Sequence, residues 1–220
     1  MPRTELRSKV LACHRSRLEA LLSEAGRSSD ANVSEAPLLE RVSSVNRAFL
    51  AEYVDAVGQY RELFVAGVDG EQEAMLDLLK LTDAMFTAYF ALLRAVFERA
   101  LASDAATTAS AAERDGEAER PPSARLSDDN LEPLVAALGL FMREVGYVHG
   151  KLPEAKLAER AADVVEGVVR AEIVKAFGVL RRSAVRHLLE LHRDAGAALA
   201  SGDEQPRDSA AVAELSLIHI

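Results

Sequence analysis

The sequence predicts an all-α protein in which long antiparallel helices stack as a bundle or rod. Ala, Leu, Glu and Arg dominate the 220 residues, Trp is absent and β-branched runs are scarce, a composition typical of helical proteins. Apolar residues recur at spacings of three and four instead of alternating. Several connections between these periodic stretches are short, which sets successive helices antiparallel. The length is enough for a sizeable core.

The first helix is expected from Thr4 to Ala25, with Val10, Leu11, Leu18, Leu21 and Leu22 on one side. Gly26 and the Ser/Asn-rich run GRSSDANVS should end it. Ser34 is placed to cap a second helix, with Pro37 in its first turn, and that helix runs to about Val65. Gly67 and the Asp69-Gly70 pair break the chain, Asp69 capping a third helix that ends near Ala102. The second and third helices hold most of the chain's aromatics. Phe49, Tyr53, Val57, Tyr60 and Phe64 on one, and Met75, Leu78, Thr82, Phe86, Phe90, Leu93 and Phe97 on the other, are predicted to share a buried seam.

From 103 to 127 the composition changes to SDAATTASAAERDGEAERPPSARLS, almost without large apolar residues. Nothing there offsets the entropy of ordering, so a disordered linker is expected. A fourth helix starts between Asp128 and Leu131 and carries Leu134, Leu138, Phe141, Met142 and Val145. GYVHGKLP turns the chain, and a fifth helix runs from about Glu154 to Ala200. On it Ile173, Phe177, Leu180, Ala184, Leu188 and Leu191 fall within roughly 80° on a helical wheel, which predicts a narrow buried stripe. The expected organisation is therefore a three-helix part over 1–102, a linker over 103–127, a two-helix continuation over 128–200 and a polar tail over 201–214. Residues 215–220, LSLIHI, resemble the translated end of a transposon used in sequencing libraries, an adapter scar; on that reading the native chain continues beyond Glu214.

The net charge of −9 and pI near 5.1 argue against general nucleic-acid binding. No stretch approaches the roughly 20 apolar residues of a membrane-spanning helix, and the charged N-terminus has no signal-peptide core. The lone Cys13 fits a reducing, cytoplasmic setting. With His14 beside it, the expectation is a half-buried cysteine and an exposed histidine, not a metal site, which needs several convergent ligands.

Asp128-Asp129-Asn130-Leu131-Glu132 resembles the Asp-rich motif with which terpene synthases hold magnesium and diphosphate. That chemistry needs a second cluster on another helix, and none is evident. At a helix start the acids are better read as caps opposing the dipole. His187 and His192 point roughly 140° apart on a helix and cannot share an ion. Catalytic, cofactor and metal residues are thus expected to be none. The stripe that invites a functional reading is basic: Lys175, Arg182, Arg186 and Arg193 lie within about 40° of one another. It would contact an acidic partner helix or anionic lipid head groups, and otherwise is a solvated face balanced by Glu172 and Glu190.

Taken in order, LACHRSRLEALL at 11–22, YVDAVGQYRELFVA at 53–66 and FTAYFALLRAVFERAL at 86–101 resemble the vacuolar protein sorting-associated protein 51 family. LEPLVAALGLFMREV and AERAADVVEGVVRAEIVKAFGVLRRSAVRHLLEL extend the resemblance to about residue 200. It covers a central part of that family's length, without its N-terminal coiled coil or later helices. The resemblance implies a non-catalytic, rod-like subunit shared by the Golgi-associated retrograde protein and endosome-associated recycling protein complexes. Such a chain would work with other tethering subunits and SNAREs in endosome-to-Golgi transport, peripheral at the trans-Golgi network and endosomes. The alternatives are an exocyst or conserved oligomeric Golgi complex subunit, a magnesium-dependent isoprenoid enzyme, or a peripheral membrane module using the basic stripe.

Overall fold

The computed structural model describes residues 2–31, 36–66, 70–114 and 128–200. Among them lie five helices and no strand: α1 (Arg3–Ala31), α2 (Leu38–Phe64), α3 (Glu71–Arg114), α4 (Asp128–His149) and α5 (Leu157–Ala200), with a 3-10 turn at Pro153–Ala155 before α5. The all-α expectation holds. The chain divides into two units, Met1–Lys175 and Ala176–Ile220. The first contains α1 to α4 and the opening turns of α5; the second contains the rest of α5.

In the first unit, polar cross-links fix the direction of each helix. Arg17 meets Glu52 at 3.0 Å and the Arg3 guanidinium donates to the Leu63 carbonyl at 3.3 Å, so α1 and α2 are antiparallel. Tyr53 pairs with Thr82 at 2.7 Å and Arg41 donates to the Val96 carbonyl at 3.0 Å, so α2 and α3 are antiparallel as well. Asn46 reaches Glu144, and Arg61 donates to the Lys151 carbonyl at 2.7 Å, which runs α4 parallel to α2. Arg160 meets Asp83 at 3.0 Å and Lys175 donates to the Leu101 carbonyl at 2.9 Å, setting the start of α5 along α3.

The predicted aromatic seam is the core. Phe49 packs on Phe86 at 5.5 Å between ring centroids, Tyr53 on Phe86 at 4.9 Å and Phe90 on Phe141 at 5.9 Å. Leu18 of α1 and Leu157, Ala161, Val164 and Val168 of α5 close it from outside. Edge-to-face contacts of this kind add about 0.5–1.5 kcal/mol each beyond the area they bury.

Element ends depart from expectation in ways with local causes. Helix α1 continues through Gly26 to Ala31. A helical glycine costs about 1 kcal/mol, which does not stop α1 here; Gly26 lies beside α3, where a Cβ would sit 3.8 Å from Leu92. Pro37 sits just outside α2, and its carbonyl accepts from the Glu40 and Arg41 amides. The expected caps Ser34 and Asp69, with Gly67, lie outside the described residues. Helix α3 runs on past Ala102 to Arg114, through an Ala-rich segment of high helix propensity, while 115–127 of the expected linker lie outside the described residues. The fifth helix does not begin at Glu154: Lys156, with φ of 50°, breaks the 3-10 turn from α5.

Candidate interaction surfaces

Helix α5 carries the largest departure from the sequence reading. The stripe expected to be buried is open: Ile173, Phe177, Leu180, Leu188 and Leu191 are all about half exposed or more, Phe177 at 67%. What α5 does bury is an earlier set, Leu157, Ala161, Val164 and Val168, all in the first unit. Periodicity records that a face is apolar; it does not record what covers it. Ten of the seventeen large apolar side chains exposed among the described residues lie on α5, from Val169 to Leu191.

The four basic residues do not behave as one group. Lys175 is half-buried, donating to the Leu101 carbonyl at 2.9 Å and lying 3.5 Å from Glu172. Arg182, Arg186 and Arg193 are exposed and form no ion pair or hydrogen bond among the described residues. The expected balance by acids is therefore partial: Glu172 serves Lys175, and Glu190 lies 3.8 Å from His187. His187 and His192 are both exposed. Helix α4 begins at Asp128, which puts the Asp-rich motif in its first turn, with Glu132 exposed.

At Cys13 and His14 the expected exposures are reversed. Cys13 is exposed and His14 is 6% exposed, with its Nδ1 lacking a partner. Burial disfavours the imidazolium and lowers its pKa; the Glu52 carboxylate opposes that, and Arg17 adds to it. Among the described residues no group of three or more His, Cys, Asp or Glu could hold a metal ion.

A buried polar chain crosses the first unit and was not anticipated. The Tyr89 hydroxyl donates to Asn46 Oδ1 at 2.6 Å, and Asn46 Nδ2 donates to the Glu144 carboxylate, tying α3, α2 and α4 together. Beside it, Tyr53 and Thr82 share a hydrogen bond, and the Thr82 hydroxyl donates to the Leu78 carbonyl at 2.8 Å. Burial raises the Tyr53 and Tyr89 phenols far above the ordinary range and pushes Tyr60 up to about 12, Arg7 opposing and Asp77 reinforcing that shift. The one sequence signal for Asn46 was position: it falls between Val42 and Phe49 on the apolar face of α2. Over this chain α2 and α4 leave a groove of about 480 Å³, floored by Leu50, Val54 and Val148 and edged by Arg47, Arg143 and Tyr147.

Fold and surfaces define, among the described residues, a helical bundle with an uncovered apolar stripe on the later part of α5. No helix among the described residues is long and apolar enough to cross a membrane. Compared with known proteins, the chain matches no family model, no curated protein and no solved structure.

Proposed function

We propose that this chain is a non-catalytic subunit of a multisubunit vesicle-tethering complex acting in retrograde transport from endosomes to the Golgi. The observation that carries the interaction role is the open apolar face of α5. Exposed apolar surface on this scale marks a protein or membrane contact more often than an isolated surface. The resemblance to the vacuolar protein sorting-associated protein 51 family supplies the particular role. Its segments at 53–66 and 86–101 fall largely on α2 and α3, whose aromatics build the core. Long helices with one apolar side each suit a subunit that binds along its length, through partner helices instead of a pocket. On this reading the partners are the larger subunits of the Golgi-associated retrograde or endosome-associated recycling complex, with SNAREs. The site of action is the cytoplasmic face of the trans-Golgi network and endosomes.

The test is affinity purification of the full-length protein from its own cells, followed by mass spectrometry. Co-recovery of the three larger subunits of those complexes is the expected result. Recovery of exocyst or conserved oligomeric Golgi subunits would move the protein to another tether. A partner-free monomer would contradict the proposal, and magnesium-dependent diphosphate release lost on Asp128→Asn would replace it with an enzyme.

A further inference from the structure

The described part of the second unit is a helix whose main apolar stripe lies opposite its arginines, with Val179, Val185 and Leu189 also exposed outside that stripe. Phe177, Leu180, Leu188 and Leu191 are all exposed, and Ala184 and Ala195 fill the same stripe. Phe177 and Leu188, Leu180 and Leu191, and Ala184 and Ala195 are each eleven residues apart. Eleven residues turn a straight α-helix through three turns with a drift of only about 20°, so over two such steps the stripe stays on one side. Arg182, Arg186 and Arg193 lie about 180° around the helix from that stripe. Between 176 and 197 four arginines face two acids, Glu190 and Asp194, an excess of two positive charges in a chain of net −9.

We infer that this half of α5 is an interfacial helix that lies in the plane of an anionic lipid surface. The opposition of the two faces chooses between occupants. A partner helix covers one side of α5, so it could meet the apolar stripe or the arginines but not both. A second copy pairing through the stripe would likewise leave the arginines unused. A bilayer interface meets both: the apolar side sinks about 5–10 Å to the acyl boundary while the head groups surround the flanks and polar side. A stripe led by Phe177 and Leu188 opposite three arginines is the pattern of in-plane helices, and Val179 and Leu189 beside those arginines sit at head-group depth. Arg181, at the edge of the stripe, can extend its guanidinium toward the phosphates while its methylenes stay with the acyl chains. The acidic remainder of the chain is repelled by the same surface, so attraction concentrates on this segment. The inference rests on the tethering reading only in explaining why such a chain would meet a vesicle.

The test is co-sedimentation of the full chain with vesicles of phosphatidylcholine containing about one quarter phosphatidylserine, and with phosphatidylcholine alone. Binding to the anionic vesicles is expected, weaker at high salt and much weaker to the neutral ones. Arg182→Gln with Arg186→Gln should reduce it roughly 30-fold, and Phe177→Glu with Leu188→Glu should abolish it while the helical CD signal persists. Inorganic phosphate added at the same ionic strength should not compete, which separates a lipid surface from a simple anion site. Absence of binding, or equal binding by both double variants, would overturn the inference. A wild-type dimer in sedimentation velocity that Leu188→Glu converts to monomer would also overturn it, in favour of a second copy on the stripe. Because no protein partner is present, failure here leaves the co-purification result standing, and the reverse holds too.

Discussion

Tyr89 joins three helices through one hydroxyl, donating to an Asn46 that in turn reaches Glu144. Removing the donor leaves a buried amide oxygen short of a partner, at a cost of about 1–3 kcal/mol. Tyr89→Phe should lower unfolding stability by that amount in urea titration; an unchanged midpoint would mean the bond contributes nothing. His14 supplies a pH dependence with a definite sign. Its folded pKa lies below the ordinary 6.5, so below that value the unfolded chain takes up the proton more readily. Stability should therefore fall as pH drops from about 7.5 to about 5.5, before most carboxylates titrate, and His14→Gln should flatten that decline. Glu52 and Arg17 are the charges facing His14 and should be kept unchanged in the comparison. Tyr89 lies on the apolar face of α3, three residues after Phe86 and four before Leu93, so its burial follows from the spacing but its hydrogen-bond partner does not. His14 was not legible, because it follows an exposed cysteine in a largely charged helix.

At the scale of elements, the sequence located the five helices found among the described residues but not all their ends. The aromatic pairing of α2 with α3 was readable because mass and period coincide there: Phe49, Tyr53 and Phe86 occupy the places their spacing demanded. Helix ends were less readable because glycine and alanine propensities are about 1 kcal/mol effects that tertiary contact readily exceeds. Gly26 is the clearest example. Placed inside α1 with room for a methyl group beside Leu92, it should accept Gly26→Ala with a gain of about 0.5–1 kcal/mol, measurable as a raised thermal midpoint. A loss would mean that the glycine is required by a backbone conformation other than a helical one. The left-handed Lys156 had no sequence signature at all, since glycine or asparagine is the usual sign of such a turn.

For the molecule as a whole, the sequence predicts two buried apolar systems, and the fold buries only one of them. The aromatic seam with Leu157, Ala161, Val164 and Val168 is buried in the first unit, while Phe177, Leu180, Leu188 and Leu191 stay open in the second. Both are apolar stripes at helical spacing, and spacing alone does not distinguish a face covered by its own chain from one left for something else. The candidate surface was legible as residues and illegible as a surface. The most direct test is the urea unfolding of Phe177→Glu/Leu188→Glu beside Phe86→Ala, followed by far-ultraviolet CD. An open face predicts a double variant within about 0.5 kcal/mol of wild type, and a core truncation at Phe86 costing about 3–5 kcal/mol. A loss of several kcal/mol in the double variant would contradict the account, because it would make the α5 stripe part of the protein's own core.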